Sequence, residues 1–242
     1  MDSQSSPQGN PPDSKAVILK GIVRFLVLFL LMAVVLFLSA GTLRWWEAWA
    51  YIAQGLIVVL HSRITIIRNR PEMAVERAEA SGRENVQDWD RWLMPFTALI
   101  GPLLSWLIAG LDFRFGWPPD LPLAVRLTAL AVLFLGGLLG NWAMLANPFF
   151  SSQVRLQTDR GHQVVSSGPY RFVRHPGYAG GVLSWIAAPC FFPSYPLALL
   201  ALLIIAAMVA RTALEDRFLR ENLPGYQAYS QQVRFRLFPG IW

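Results

Sequence analysis

Long apolar runs separated by short polar breaks set the pattern of the chain, and residues 16–40, 45–67, 94–111 and 121–146 form the first set. Each comes close to the roughly 20 apolar residues that a helix needs to cross a bilayer. Each is also bounded by charges, aromatic rings or prolines, as expected at a membrane interface. Four conventional spans are predicted. The first run is too long for the apolar region of a signal peptide and has no obvious small-residue cleavage site, so it is expected to stay as a span. Arg126 stands near the start of the fourth, where its long stem can snorkel.

A further run, residues 176–210, holds 35 residues without a formal charge. As one helix it would be about 50 Å long at 1.5 Å per residue, well beyond a hydrocarbon core of roughly 30 Å. Pro189, Pro193 and Pro196 cluster near its middle, where a proline ring removes a backbone donor and breaks a helix. A helical hairpin is therefore predicted, with both ends on one side and a second arm running past Arg211 into a polar, amphipathic section. Gly136 with Gly140 and Gly177 with Gly181 have the Gly-x-x-x-Gly spacing that lets helices approach closely. The fold class is all-α: a polytopic integral membrane protein of four spans plus a C-terminal hairpin. Residues 1–14 are polar, rich in Pro and Ser, and predicted to be a disordered tail. Residues 15–149 supply the N-terminal transmembrane helices and 150–242 a C-terminal module.

Composition agrees with a membrane setting, since 54% hydrophobic residues with 15% charged ones do not suit a soluble domain. The formal net charge of +6 does not indicate nucleic acid, because the basic residues lie beside the spans rather than in one block, where lipid headgroups are the fitting partners. Cys190 is the single cysteine, so an internal disulfide and a CxxC metal site are excluded, and no metal is expected. Lys15, Lys20 and Arg24, then Arg63, Arg68, Arg70, Arg77, Arg83 and Arg91, and nine further arginines after residue 150 share one side by this reading. Only Arg44, Arg114 and Arg126 fall on the other. The positive-inside rule then places both termini and the 150–175 segment in the cytoplasm.

Candidate chemistry is concentrated at 162–178, where polar, charged and aromatic residues stand directly before the hairpin, at a depth where such groups are costly without a partner or a task. Ser167-Gly168-Pro169 is a turn signal, and Pro176 occupies an early helical position where its missing donor costs nothing. The free N–H groups of that first turn can receive an anion. An interfacial turn whose arginines bind headgroup phosphates accounts for the same residues equally well. Beyond the hairpin, Arg211 and Glu215 are spaced i to i+4 and so share a helical face, and the hairpin returns them to the neighbourhood of His175 and Tyr178. His61, within the second run, reads as a hydrogen-bonded helix residue.

The strings GPYRFVRHPGY (168–178), RTALED (211–216) and LPGYQAYSQQVRFRLFPGIW (223–242) resemble the catalytic module of the isoprenylcysteine carboxyl methyltransferase family and its bacterial relatives, which include phospholipid methyltransferases. The loop holding Arg70-Pro71-Glu72 and Asp88-Trp89-Asp90 is similar to that of bacterial members. The resemblance implies an enzyme that uses S-adenosylmethionine, bound at the cytoplasmic membrane face, and a bacterial-type protein of the inner membrane. His162, Gln163, Val164, Val165, Tyr170, His175, Pro176, Gly177 and Tyr178 match positions that wrap the cofactor, and Glu215 matches an acid that binds it. Arg211 matches an arginine that holds the carboxylate of the acceptor, so Arg211 and Glu215 are the implied catalytic pair. A cofactor-binding Gln of eukaryotic members falls on Arg155 by ungapped count, with Gln157 two residues on. Asp216 can share the role of Glu215, and Tyr226, Tyr229, Arg234, Arg236 and Trp242 are expected to fold back over the cofactor pocket.

The implied substrate is lipophilic or lipidated, and methylation of an isoprenylcysteine-like carboxylate heads the readings. An ethanolamine headgroup methylated on nitrogen is the rival enzyme, and a non-enzymatic membrane protein on the same fold is the rival outside enzymology. A Rossmann-type methyltransferase is excluded, since no Gly-x-Gly-x-x-Gly turn follows a strand-like segment.

Overall fold

A computed structural model describes residues 14–69, 86–116 and 119–242. The predicted tail, apart from Ser14, and the loop positions Arg70, Pro71, Glu72, Arg77 and Arg83 lie outside the described residues. Among those described, every regular element is helical: α1 (Ser14–Ala40), α2 (Trp46–Asn69), α3 (Asp90–Phe115), α4 (Leu123–Ala146), α5 (Pro176–Phe191), α6 (Tyr195–Asn222) and α7 (Tyr226–Gln232). Five of them, α1, α2, α3, α4 and α6, are long and apolar enough to cross a membrane. The chain is a multi-pass membrane protein with these five candidate spans.

Helices form at each of the four runs expected to be spans, with one displaced boundary. α3 begins at Asp90 rather than at Met94, and its ladder slips into a π-helical stretch over Phe96–Ile100 before resuming at Gly101. Pro102 explains the slip: it has no N–H to offer the preceding turn, and the Gly101 N–H reaches back to the Phe96 carbonyl. The hairpin forms as α5 and α6, and α6 runs past Arg211 to Asn222 as predicted. Its break differs in detail. Pro189 lies inside α5, and the chain turns only at Phe192–Ser194, where Ser194 caps α6 by accepting from the Leu197 N–H at 2.9 Å. With 16 residues, α5 is about 24 Å long, shorter than a full crossing.

The glycine patterns mark real approaches. α4 and α5 form the most extensive helix pair, and a Cβ on Gly136 would stand 2.6 Å from the Gly180 carbonyl oxygen. Gly177 faces Phe150, and Gly181 receives Met208 of α6. At one end of the bundle Trp45 packs on Phe113 (4.8 Å) and Phe192 (5.2 Å), tying the α1–α2 turn, the end of α3 and the hairpin turn together. Near the same end Arg126 does not merely snorkel: it joins α4 to α2 through a 2.6 Å contact with Glu47, which is buried. His61 is hydrogen-bonded, its Nδ1 lying 3.0 Å from the Asn141 amide. The opposite end gathers the start of α3, the 147–175 segment, the last turns of α6 and the C-terminal residues.

Candidate active site

Local chain geometry brings the predicted residues to one place. Gly161 adopts a left-handed conformation (φ 61°) after the short turn Thr158–Arg160, and the reversal lays His162 against Phe149 with ring centroids 4.6 Å apart. Gly168 repeats the device (φ 59°) before the turn that buries Pro169 and Tyr170. Tyr170 is fixed there by its carbonyl, which accepts from the Tyr229 hydroxyl at 2.6 Å. His175 is the residue before the first turn of α5; its ring is buried and makes no capping hydrogen bond.

A cavity of about 260 Å³ opens between these segments. Of the residues expected to hold a cofactor, His162, Gln163, Val164, Val165, Tyr170, His175, Gly177, Tyr178 and Glu215 all line it, together with Arg211. Pro176 does not; it is buried where α5 begins. Arg155 lines the cavity, whereas Gln157 is turned away, donating to the Phe149 carbonyl at 2.6 Å and accepting from Arg160. The His162 pKa is lowered by burial first and by the positive charges of Arg155 and Arg160 second. The ring is therefore neutral at pH 7.

Arg211 and Glu215 face the cavity from one side of α6, with Tyr178 between them. The Tyr178 hydroxyl donates to Glu215 Oε2 at 2.7 Å, and the Arg211 guanidinium lies over the Tyr178 ring at 5.3 Å. Glu215 Oε1 has no hydrogen-bond partner among the described residues, so that oxygen is available to a donor in the cavity. Arg211 has a partner that helical spacing could not reveal: Asp90, at the start of α3, accepts from its Nε at 2.6 Å and its Nη2 at 3.1 Å.

Asp216 does not line the cavity beside Glu215. It is fully buried behind the cavity, where its carboxylate accepts from Arg174 Nε (2.6 Å) and Nη2 (3.0 Å), Arg236 Nε (2.9 Å) and the Tyr226 hydroxyl (3.0 Å), with Arg220 at 3.2 Å. Burial opposes the charge on Arg174, but the hydrogen bonds and charge of Asp216 more than offset it and raise its pKa. Arg174 also donates to the carbonyls of Val233 and Arg234, while backbone N–H groups of Arg174 and His175 reach Phe235 and Arg236. The C-terminal segment is thus folded back against the cavity, which Tyr226 and Tyr229 line directly. Burial, followed by the negative charge of Asp216, pushes the Tyr226 pKa far above the usual tyrosine range, so its hydroxyl stays a donor. Among the described residues no group of His, Cys, Asp and Glu has the geometry for a metal.

A second, larger cavity of about 890 Å³ lies between α1, α2 and α4, walled by residues such as Phe25, Phe29, Val58 and Ile66. Phe150 and Gly177 line both cavities, so the apolar space adjoins the polar one.

Comparison with known proteins points the same way. Two rice proteins, one from Oryza sativa subsp. indica and one from subsp. japonica, each described as "Probable protein-S-isoprenylcysteine O-methyltransferase", are 27% identical to this chain over 113 residues. The alignment covers 45% of this chain and 59% of theirs. Residues 128–221 match the family model described as "Isoprenylcysteine carboxyl methyltransferase (ICMT) family", so the likeness to that family lies in a segment that holds α5, Arg211 and Glu215.

Proposed function

We propose that this protein is an S-adenosylmethionine-dependent methyltransferase acting on a lipophilic, membrane-embedded acceptor, by O-methylation of an isoprenylcysteine-like carboxylate. The observation that carries the reading is the meeting, at Phe150 and Gly177, of a polar cavity lined by Arg211 and Glu215 with a large apolar one opening among the spans. A ligand that places its reacting group in the first and its tail in the second is a lipid-like molecule. The positive-inside distribution supports a cytoplasmic cavity and cytoplasmic termini, and the Asp88-Trp89-Asp90 loop supports a bacterial inner-membrane protein.

The cavity suits the cofactor. Glu215 Oε1 can accept from its ammonium or hydroxyl groups, and Val164, Val165, Tyr170 and Tyr229 offer apolar and aromatic surface for its base. When bound, the cofactor supplies an electrophilic methyl group on a sulfonium. The chain's own contribution is positional: orientation of reacting groups is worth roughly 7 to 11 kcal/mol. A carboxylate acceptor is already ionised at neutral pH and needs no base, so Arg211 acts by holding it in place. N-methylation of an ethanolamine headgroup is the second reading. It draws on the Asp90 contact, which already balances the Arg211 charge, and on His175, whose imidazole lines the cavity.

Methyl transfer from radiolabelled cofactor in purified membranes tests both, with a farnesylcysteine analogue, phosphatidylethanolamine and endogenous lipid as acceptors and Arg211→Gln beside the wild type. Base-labile label on the farnesylcysteine that is lost in the variant is the expected result. Base-stable label on phosphatidylethanolamine moves the assignment to nitrogen, and no transfer to any acceptor overturns the enzymatic reading.

A further inference from the structure

Asp90 stands outside the family-matched segment, on a helix that contributes little else to the cavity, yet it is fully buried against Arg211. Its Oδ1 accepts from Arg211 Nε at 2.6 Å, and its Oδ2 accepts from Arg211 Nη2 at 3.1 Å and from the Val154 N–H at 2.7 Å. The Gln87 N–H donates to the Val154 carbonyl at 3.2 Å, so the start of α3 and the loop after α4 are tied by backbone bonds as well. Arg211 Nη2 also donates to the Ser152 carbonyl. The side-on edge of the guanidinium, Nε with Nη2, is thereby committed to Asp90. Nη1 alone has no hydrogen bond among the described residues, on a side chain that lines the cavity over the Tyr178 ring.

A buried ion pair is a poor way simply to join two helices, because the desolvation of both charges offsets most of their attraction and apolar residues of similar size serve as well. What a two-point carboxylate contact does supply is a fixed plane and direction for the guanidinium. We infer that Asp90 is a positioning residue for the acceptor: it holds Arg211 by its side-on edge so that Nη1 is the donor presented to the reacting group. The inference rests on the methyltransferase reading. It also refines it, since the acceptor is then held end-on by one nitrogen rather than by the full fork, and Asp90 rather than the acceptor carries the charge that balances Arg211.

The test is the Asp90→Asn variant of the full chain in detergent or nanodiscs, with N-acetyl-S-farnesylcysteine and endogenous lipid extract as acceptor probes. Asn keeps the volume and one acceptor oxygen but removes the charge and the second acceptor. The expected result is a KM for the acceptor raised about tenfold or more, the scale on which misplaced reactants lose rate, with the cofactor Kd from calorimetry held within about twofold. An unchanged KM overturns the inference, and so does a KM that rises in parallel with the cofactor Kd, because loss of mere structural support moves both. If Asp90→Asn does not fold, Asp90→Glu, which keeps the charge on a longer stem, must give the same split; failure of both to fold makes the pair structural and overturns the inference. A wild type inactive on both probes sinks the methyltransferase reading and this inference with it, whereas an active wild type with a parallel shift sinks the inference alone.

Discussion

Two adjacent acids on α6 have unlike fates, and one turn of geometry decides between them. Glu215 shares a face with Arg211 and looks into the cavity, while Asp216 is rotated about 100° further round the helix and is swallowed by Arg174, Arg236 and Tyr226. The exposed Arg217 and Glu221 make an ordinary i,i+4 pair of the kind that contributes little. His162 offers a residue-scale test. Burial and the neighbouring arginines depress its pKa in the folded protein, so as pH falls the unfolded chain takes up that proton before the folded one does. The stability that depends on neutral His162 is full above the ordinary histidine range of about 6.5 and is lost as pH drops through the depressed value. Unfolding midpoints of wild type and His162→Gln, followed from pH 8 to pH 5 (about one and a half units either side of that ordinary value), should differ by a constant amount at the alkaline end and lose that wild-type advantage at the acid end. Parallel curves throughout would show that the ring is not held neutral by the fold.

At the scale of elements, α5 is the piece on which the site turns, since its first turn carries His175, Gly177 and Tyr178 and its next glycines set its distance from α4. A Cβ on Gly180 would meet the Gly136 carbonyl carbon at 3.4 Å, its oxygen closer still, and the Gly140 nitrogen at 3.0 Å. Backbone cannot give way as a flexible side chain can. Gly180→Ala should therefore destabilise by about 1–3 kcal/mol through overpacking, more than the roughly 1 kcal/mol that alanine gains in helix propensity. It should also weaken cofactor binding, because the first turn of α5 carries His175, Gly177 and Tyr178 into the cavity wall. A lowered unfolding midpoint in detergent together with a raised cofactor Kd is the expected outcome, and an unchanged midpoint would mean that the α4–α5 contact is looser than the backbone distances require.

For the molecule as a whole, what the sequence makes legible is periodic or local. Apolar run length marks the candidate spans, the length of the uncharged 176–210 run together with its prolines marks the hairpin without placing its turn, and the 162–178 string with Arg211 and Glu215 marks much of one cavity wall. The pairings of Asp90 with Arg211 and of Asp216 with Arg174 cross 121 and 42 positions of chain. No spacing rule covers such distances, because they depend on how helices are arranged rather than on any one helix. The cavity between α1, α2 and α4 is hidden for the same reason: apart from Arg24 and Arg63 at its rim, most of its walls are residues that read as ordinary lipid-facing or core positions. Gly140 gives access to it. A Cβ there meets nothing within 4 Å, and the residue lines that cavity, so Gly140→Leu places a side chain in the open space without forcing helices apart and replaces a poor helix former by a good one. If the acceptor's tail lies in this space, the variant should fold at least as well as wild type, keep its cofactor Kd, and raise the KM for a farnesylated acceptor more than for one with a shorter chain. Equal KM changes for long and short chains would instead place the tail outside the bundle, against the lipid-exposed faces of the spans.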